Sequence, residues 1–165
     1  MGEHLNQECY QILVAPALGG YEFESVEMLA FFAAEEEALG RGDIVTATEL
    51  NLKMWVDGFN RSDGEVSWQV REQVKAMQLK IFSQSEVADM DEKELKPPAI
   101  EQLEKIVVPT LVIIGDKDVA EFQTISNSIT EKIQNSGQVI MPGTAHLPSM
   151  EKPEEFNQIV LDFLR

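Results

Sequence analysis

Val107-Val108-Pro109-Thr110-Leu111-Val112-Ile113-Ile114 runs straight into Gly115-Asp116-Lys117-Asp118. The run is β-branched and apolar with no polar alternation. A strand that faces solvent on one side alternates, whereas one covered on both faces does not, so the pattern predicts a central strand of a parallel sheet over 108–114. A second short run, Gln138-Val139-Ile140-Met141, stops at Pro142-Gly143-Thr144-Ala145-His146. Between the two, Phe122, Ile125, Ile129 and Ile133 recur at helical spacing. Strand, helix, strand is a βαβ unit, and it brings an aspartate loop and a histidine loop to the same edge of a sheet. Ligands and chemistry of open α/β sheets gather at the carboxyl edge of the strands.

Working outward, Asp118 and His146 are separated by enough chain for one helix and one strand, so the two loops can meet. A carboxylate behind an imidazole is the arrangement in which the acid orients the ring and the ring moves a proton. Taken singly, an aspartate in a Gly-Asp turn is ordinarily a turn former, and a histidine after a glycine loop is ordinarily a half-exposed side chain. Downstream, Pro153 at a first helical position with Glu154 and Glu155 behind it predicts a terminal helix, with Phe156, Ile159, Val160, Phe163 and Leu164 facing the sheet.

Upstream, Cys9-Tyr10-Gln11-Ile12-Leu13-Val14-Ala15-Pro16 reads as a strand over 10–15 that ends at proline. From Glu24 to about Ser85 the periodicity is helical. Val26, Leu29, Ala30 and Ala33 share one face, broadened by Phe31 and Phe32, and glutamates cover the outside. Those carboxylates are spread around a helix without a histidine among them, which is the pattern of a solvated face and not of a metal site. Gly40-Arg41-Gly42 then ends the helix with a glycine stop and Asp43 caps the next, along which Ile44, Ala47, Leu50 and Met54 align. Asp57 to Gly64 is a loop by composition. Asn60-Arg61-Ser62 within it matches a glycosylation sequon that would need a secretory route. Val66, Val70, Val74, Met77 and Ile81 make a further amphipathic helix, and Pro97-Pro98 marks the return to the sheet.

The bulk properties narrow the function. The 165 residues carry 13 lysines and arginines against 29 aspartates and glutamates, a net charge of −16. Nucleic acid and anionic membrane surfaces both need a basic face, so neither is an expected partner. Cys9 is the one cysteine, which excludes an intrachain disulfide and fits a reducing, cytoplasmic setting. No apolar run reaches spanning length, and the first residues have neither the basic nor the apolar region of a signal peptide.

Val108 to Asp118, followed by Pro142-Gly143-Thr144-Ala145-His146-Leu147-Pro148-Ser149-Met150-Glu151-Lys152-Pro153-Glu154-Glu155-Phe156, resembles the C-terminal end of the α/β-hydrolase family. In that family the acid follows the seventh strand and the histidine the eighth. The segment Leu13 to Gly20 resembles the sixth strand and its exit toward the cap. The resemblance implies a partial α/β-hydrolase fold, of class α/β. Three parallel strands (10–15, 108–114, 138–141) with flanking helices would form the core over 1–20 and 97–165, and an all-helical cap would occupy 21–96. It carries over Asp118 as triad acid, with Asp116 as the second choice, and His146 as base. It implies neither metal nor cofactor. The substrate would be a small apolar ester, lactone or related compound, and Trp55, Phe59, Trp68 and Met77 could line its pocket, although each is individually more at home as cap packing.

The family's Gly-x-Ser-x-Gly nucleophile turn occurs nowhere in the chain. Strands one to five, which carry it, would lie before Met1. Two triad members without the third give little rate, so the resemblance implies a chain inactive alone, or a non-catalytic remnant or binding module. Either way the outer edge of strand 10–15 would be open, and an open apolar edge invites a second copy or a complementing chain.

Overall fold

The computed structural model describes residues 9–58, 61–62, 64–84 and 95–165. Among them are three strands, β1 (Gln11–Val14), β2 (Thr110–Gly115) and β3 (Ser136–Met141). They form one parallel sheet in the order β1-β2-β3, with Ile12 beside Leu111 and Ile113 beside Val139. Every residue of β2 is buried. Its side chains divide between two cores as strand geometry requires. Val112 and Ile114 join the larger core with Phe122, Ile125, Ile129 and Ile133, whereas Leu111 and Ile113 face Met141, Phe156, Ile159, Val160 and Phe163.

Two helices of the C-terminal half cover the sheet. α4 (Ala120–Lys132) lies on one face and buries the whole expected stripe. On the other face α6 (Pro153–Phe163), preceded by the single turn α5 (Pro148–Glu151), packs through Phe156, Ile159, Val160 and Phe163. Leu164 departs from the expected stripe and is exposed. The strands also differ at their starts. β2 begins at Thr110, since Pro109 has no N–H to give to a ladder, although its carbonyl accepts from the Gln11 N–H at 2.9 Å, and Val107 before it is 81% exposed. β3 begins at Ser136, earlier than its apolar run, because Gly137 pairs in register with Leu111.

The helical stretch after β1 holds α1 (Val26–Gly40), α2 (Ile44–Asn51), a π-helical segment (Leu52–Asp57) and α3 (Trp68–Phe82). Ser25 caps α1, its hydroxyl accepting from the Met28 N–H, and Asp43 caps α2 by accepting from the Thr46 N–H at 3.0 Å. The inward face of α1 corrects the sequence reading. Met28, Phe31 and Ala38 are buried, while Val26, Leu29, Ala30 and Ala33 are exposed. Apolar residues surround this helix, so periodicity alone does not select a face, and the aromatic Phe31 takes the core side against Trp55. The second helix does not continue unbroken to Met54. It widens to π geometry at Leu52, which turns Leu52, Met54 and Val56 all inward. Arg71 of α3 ties this region together through Asp57 (3.0 Å) and Glu49 (2.9 Å), and Lys75 joins Glu49 at 2.5 Å. Ahead of β2 the chain makes two 3₁₀ turns, Ala99–Glu101 and Leu103–Lys105.

Candidate active site at the aspartate and histidine loops

β2 and β3 end side by side, and their exit loops are stitched together by hydrogen bonds. The Asp116 N–H donates to the Met141 carbonyl at 3.2 Å, and the Lys117 N–H donates to the Thr144 carbonyl at 2.9 Å. Asp116 Oδ1 accepts from the Gly143 N–H at 2.6 Å. Gly115 makes this possible. A Cβ there would lie 2.1 Å from the Thr144 oxygen and 2.3 Å from the Ala145 oxygen, so no side chain fits. Glycine at the end of a strand often marks such a close approach of backbone.

Within this frame the His146 Nδ1 lies 3.0 Å from Asp118 Oδ2 and 3.2 Å from Oδ1. The two side chains are exposed by 21% and 1% respectively. Asp118 Oδ1 also accepts from the Val119 N–H at 2.8 Å, at the entry to α4, which holds the carboxylate in place. The nearer-to-strand Asp116 serves the loop backbone, so Asp118 is the carboxylate that meets the imidazole. With Nδ1 engaged, Nε2 has no hydrogen-bond partner among the described residues. An imidazole backed by a buried carboxylate at one nitrogen and free at the other is arranged to take a proton at the free nitrogen.

Two aromatic rings flank the imidazole. Trp55 lies 4.6 Å from its centroid at 41°, and Phe122 lies 4.6 Å away edge-on at 73°. Trp55 and Phe122 also meet each other edge-on at 5.6 Å, and Phe31 meets Trp55 edge-on at 5.4 Å. Of the expected pocket residues, then, Trp55 is at the histidine. Trp68 and Met77 are not in an enclosed pocket: they are 70% and 51% exposed on α3. Trp68 instead rims a hollow shared with Asp57, Arg61 and Arg71. Phe59 lies outside the described residues.

In the sequence Phe122 shows only as the first residue of a helical apolar stripe. It is that, and it also walls the imidazole, because the first turn of α4 follows directly on Asp118. Arg61 is a second unforeseen participant. Its side chain is 2% exposed and pairs with Glu151 at 2.6 Å. The sequence shows it as a loop residue within a sequon, and its partner is far away along the chain.

A separate apolar hollow of about 370 Å³ is lined by Val26, Ala30, Phe31, Leu50 and Met54, with Glu27 and Lys53 at its rim. Among the described residues no group of histidine, cysteine, aspartate and glutamate side chains is placed to hold a metal ion. No described helix is long and apolar enough to cross a membrane.

No family model matches the chain, and no curated protein matches it either. Solved structures do. MenH from S. aureus is similar over 94% of this chain and 58% of its own, with 21% identity and a TM-score of 0.65. A thermophilic esterase from Thermogutta terrifontis matches over 94% and 55%, with 20% identity and a TM-score of 0.64. An α/β-hydrolase enzyme from a Medee basin deep-sea metagenome library matches over 93% and 55%, with 18% identity and a TM-score of 0.62. The chain spans little more than half the length of these structures. The likeness establishes that it carries part of the α/β-hydrolase fold.

Proposed function

Starting from that shared fold, we propose that the chain contributes the acid–base half of a hydrolase site acting on carboxylic esters, lactones or related small apolar substrates. His146 is the general base and Asp118 its orienting acid. The observation that carries this reading is the 3.0 Å contact between His146 Nδ1 and a carboxylate whose side chain is 1% exposed. The esterase among the similar structures is consistent with the ester class. Trp55 and Phe122 give the reacting centre apolar walls, and the helices over 21–96 act as the cap of a core formed by 1–20 and 97–165. His146 takes a proton from the nucleophile, which adds to the acyl carbon; the imidazolium returns that proton to the leaving oxygen as the acyl C–O bond breaks, and a water deprotonated by the same base then releases the acid from the nucleophile.

No described hydroxyl or thiol hydrogen-bonds His146, so the nucleophile has to be supplied. This favours a companion reading, in which the chain alone is a binding module and turnover requires a complementing chain. Its natural place is the outer edge of β1, which pairs only with β2 among the described residues. A second copy at that edge would give a dimer without a nucleophile.

A small alcohol can stand in for the missing group. Methanolysis of p-nitrophenyl acetate and butyrate, followed with increasing methanol, compares the parent chain with His146→Ala. General-base assistance is typically worth about 10²–10⁴-fold, so the parent should exceed the variant by at least about tenfold in the methanol-dependent rate. Equal rates at every methanol concentration would sink the acid–base reading and leave the binding module. A burst of p-nitrophenol in water alone, about one equivalent per chain, would show that the chain holds its own nucleophile.

A further inference from the structure

We infer that Arg61 is a positioning residue for His146, acting through the backbone of the histidine loop and through the helix that carries Trp55. Its guanidinium has three separate partners. Nη2 pairs with Glu151 Oε2 at 2.6 Å and donates to the Gly143 carbonyl at 3.1 Å, while Nη1 donates to the Val56 carbonyl at 3.4 Å. Glu151 completes the circuit, because its Oε1 accepts from the Ala145 N–H at 2.8 Å. The loop is thus gripped at Gly143 and at Ala145, directly before His146. The same guanidinium holds the π-helical segment one residue past Trp55, whose ring lies against the imidazole.

A planar fork is needed for this. Arginine presents several donors in a rigid plane, whereas lysine offers a compact point charge that does not span the same acceptors. Both ions are nearly sealed from solvent, at 2% and 8% exposure. A buried charge is strongly held to its partner, because separating the two leaves an uncompensated ion. By contrast, the bond from Lys152 to the Pro142 carbonyl in the same loop is exposed. The inference builds on the acid–base reading of His146, but its test reads the geometry of the ring without turnover, so either can fail alone.

The test uses the full chain, isotopically labelled, with proton–nitrogen correlations of the His146 ring assigned by His146→Ala. In the parent, the Nδ1 proton shared with Asp118 should be visible and shifted downfield. In folded Arg61→Ala that signal should be lost or moved upfield, and exchange of the Ala145 amide should accelerate roughly tenfold or more, as expected when an ordering hydrogen bond is released. Arg61→Lys should fall between the two. A purely structural arginine would lower the unfolding midpoint of both variants and leave the ring signal of the folded protein where it was. An unmoved ring signal with unchanged Ala145 exchange overturns the inference. If Arg61→Ala does not fold, Arg61→Lys decides by the same readouts: a moved signal supports the grip, and an unmoved one overturns it.

Discussion

Gly115→Ala is the sharpest perturbation of the site that leaves every polar group in place. The new Cβ would lie 2.1 Å from the Thr144 oxygen, 2.3 Å from the Ala145 oxygen and 2.5 Å from the Thr144 carbonyl carbon. Ordinary contacts are above 3 Å, so β2 and the histidine loop must separate by about 1 Å, because backbone and not a flexible side chain is in the way. Inserting a methyl group into a packed site costs about 1–3 kcal/mol. Separation also stretches the Lys117 N–H bond to the Thr144 carbonyl, now 2.9 Å, and each such bond is worth about 1 kcal/mol. The expected loss is therefore about 2–4 kcal/mol in urea-induced unfolding. The same movement carries the 3.0 Å contact of His146 with Asp118 toward 4 Å, beyond hydrogen-bond reach. A folded Gly115→Ala protein within about 0.5 kcal/mol of the parent, with an unchanged His146 ring signal, would refute the claim that close backbone approach builds this site.

Trp55→Ala removes the ring packed on His146, Phe31 and Phe122 and should cost about 2–4 kcal/mol in chemical unfolding, below a full core tryptophan because Trp55 is only partly buried. Trp68→Ser, by contrast, should change stability by less than about 0.5 kcal/mol in the same assay, since the side chain is 70% exposed. Glu121 gives a pH dependence. Burial pushes its carboxyl up, but bonds from the Ser25 hydroxyl and from the N–H groups of Glu24 and Ser25 outweigh that and hold it below the usual glutamate value. A group depressed in the folded state contributes stability above its unfolded value and loses it as pH falls through the folded one. Thermal unfolding below the ordinary glutamate range should thus be steeper with pH in the parent than in Glu121→Gln.

The C-terminal half was legible in the sequence because its signals are redundant. A strand buried on both faces has an unmistakable apolar run, and β2 fills two cores at once. The stripe of α4 and the proline start of α6 each point the same way as the topology, and so the Asp118 and His146 loops fall where a βαβ unit must put them. The helical stretch was less legible. Val26, Leu29, Phe31 and Phe32 offer two competing faces of α1, and only tertiary packing on Trp55 selects between them. Nothing local announces the π-helical segment, in which one widened turn re-aims Trp55. Arg61 was invisible for a different reason: a buried cation is identified by its partner, and Glu151 comes from another part of the fold. Phe122 carries a double signal, since it lies both on the core stripe and in the first turn of the helix that starts just after Asp118.

Which nitrogen of His146 carries the proton tests the central claim most directly. Proton–nitrogen spectroscopy of the imidazole, at a pH where the ring is neutral, reads this in the parent chain and in Asp118→Asn. The acid–base account predicts that the parent holds its proton on Nδ1, facing Asp118, with Nε2 bare and able to accept, and that Asp118→Asn loses this preference. A parent ring protonated at Nε2, or a tautomer unaffected by Asp118→Asn, would contradict the account.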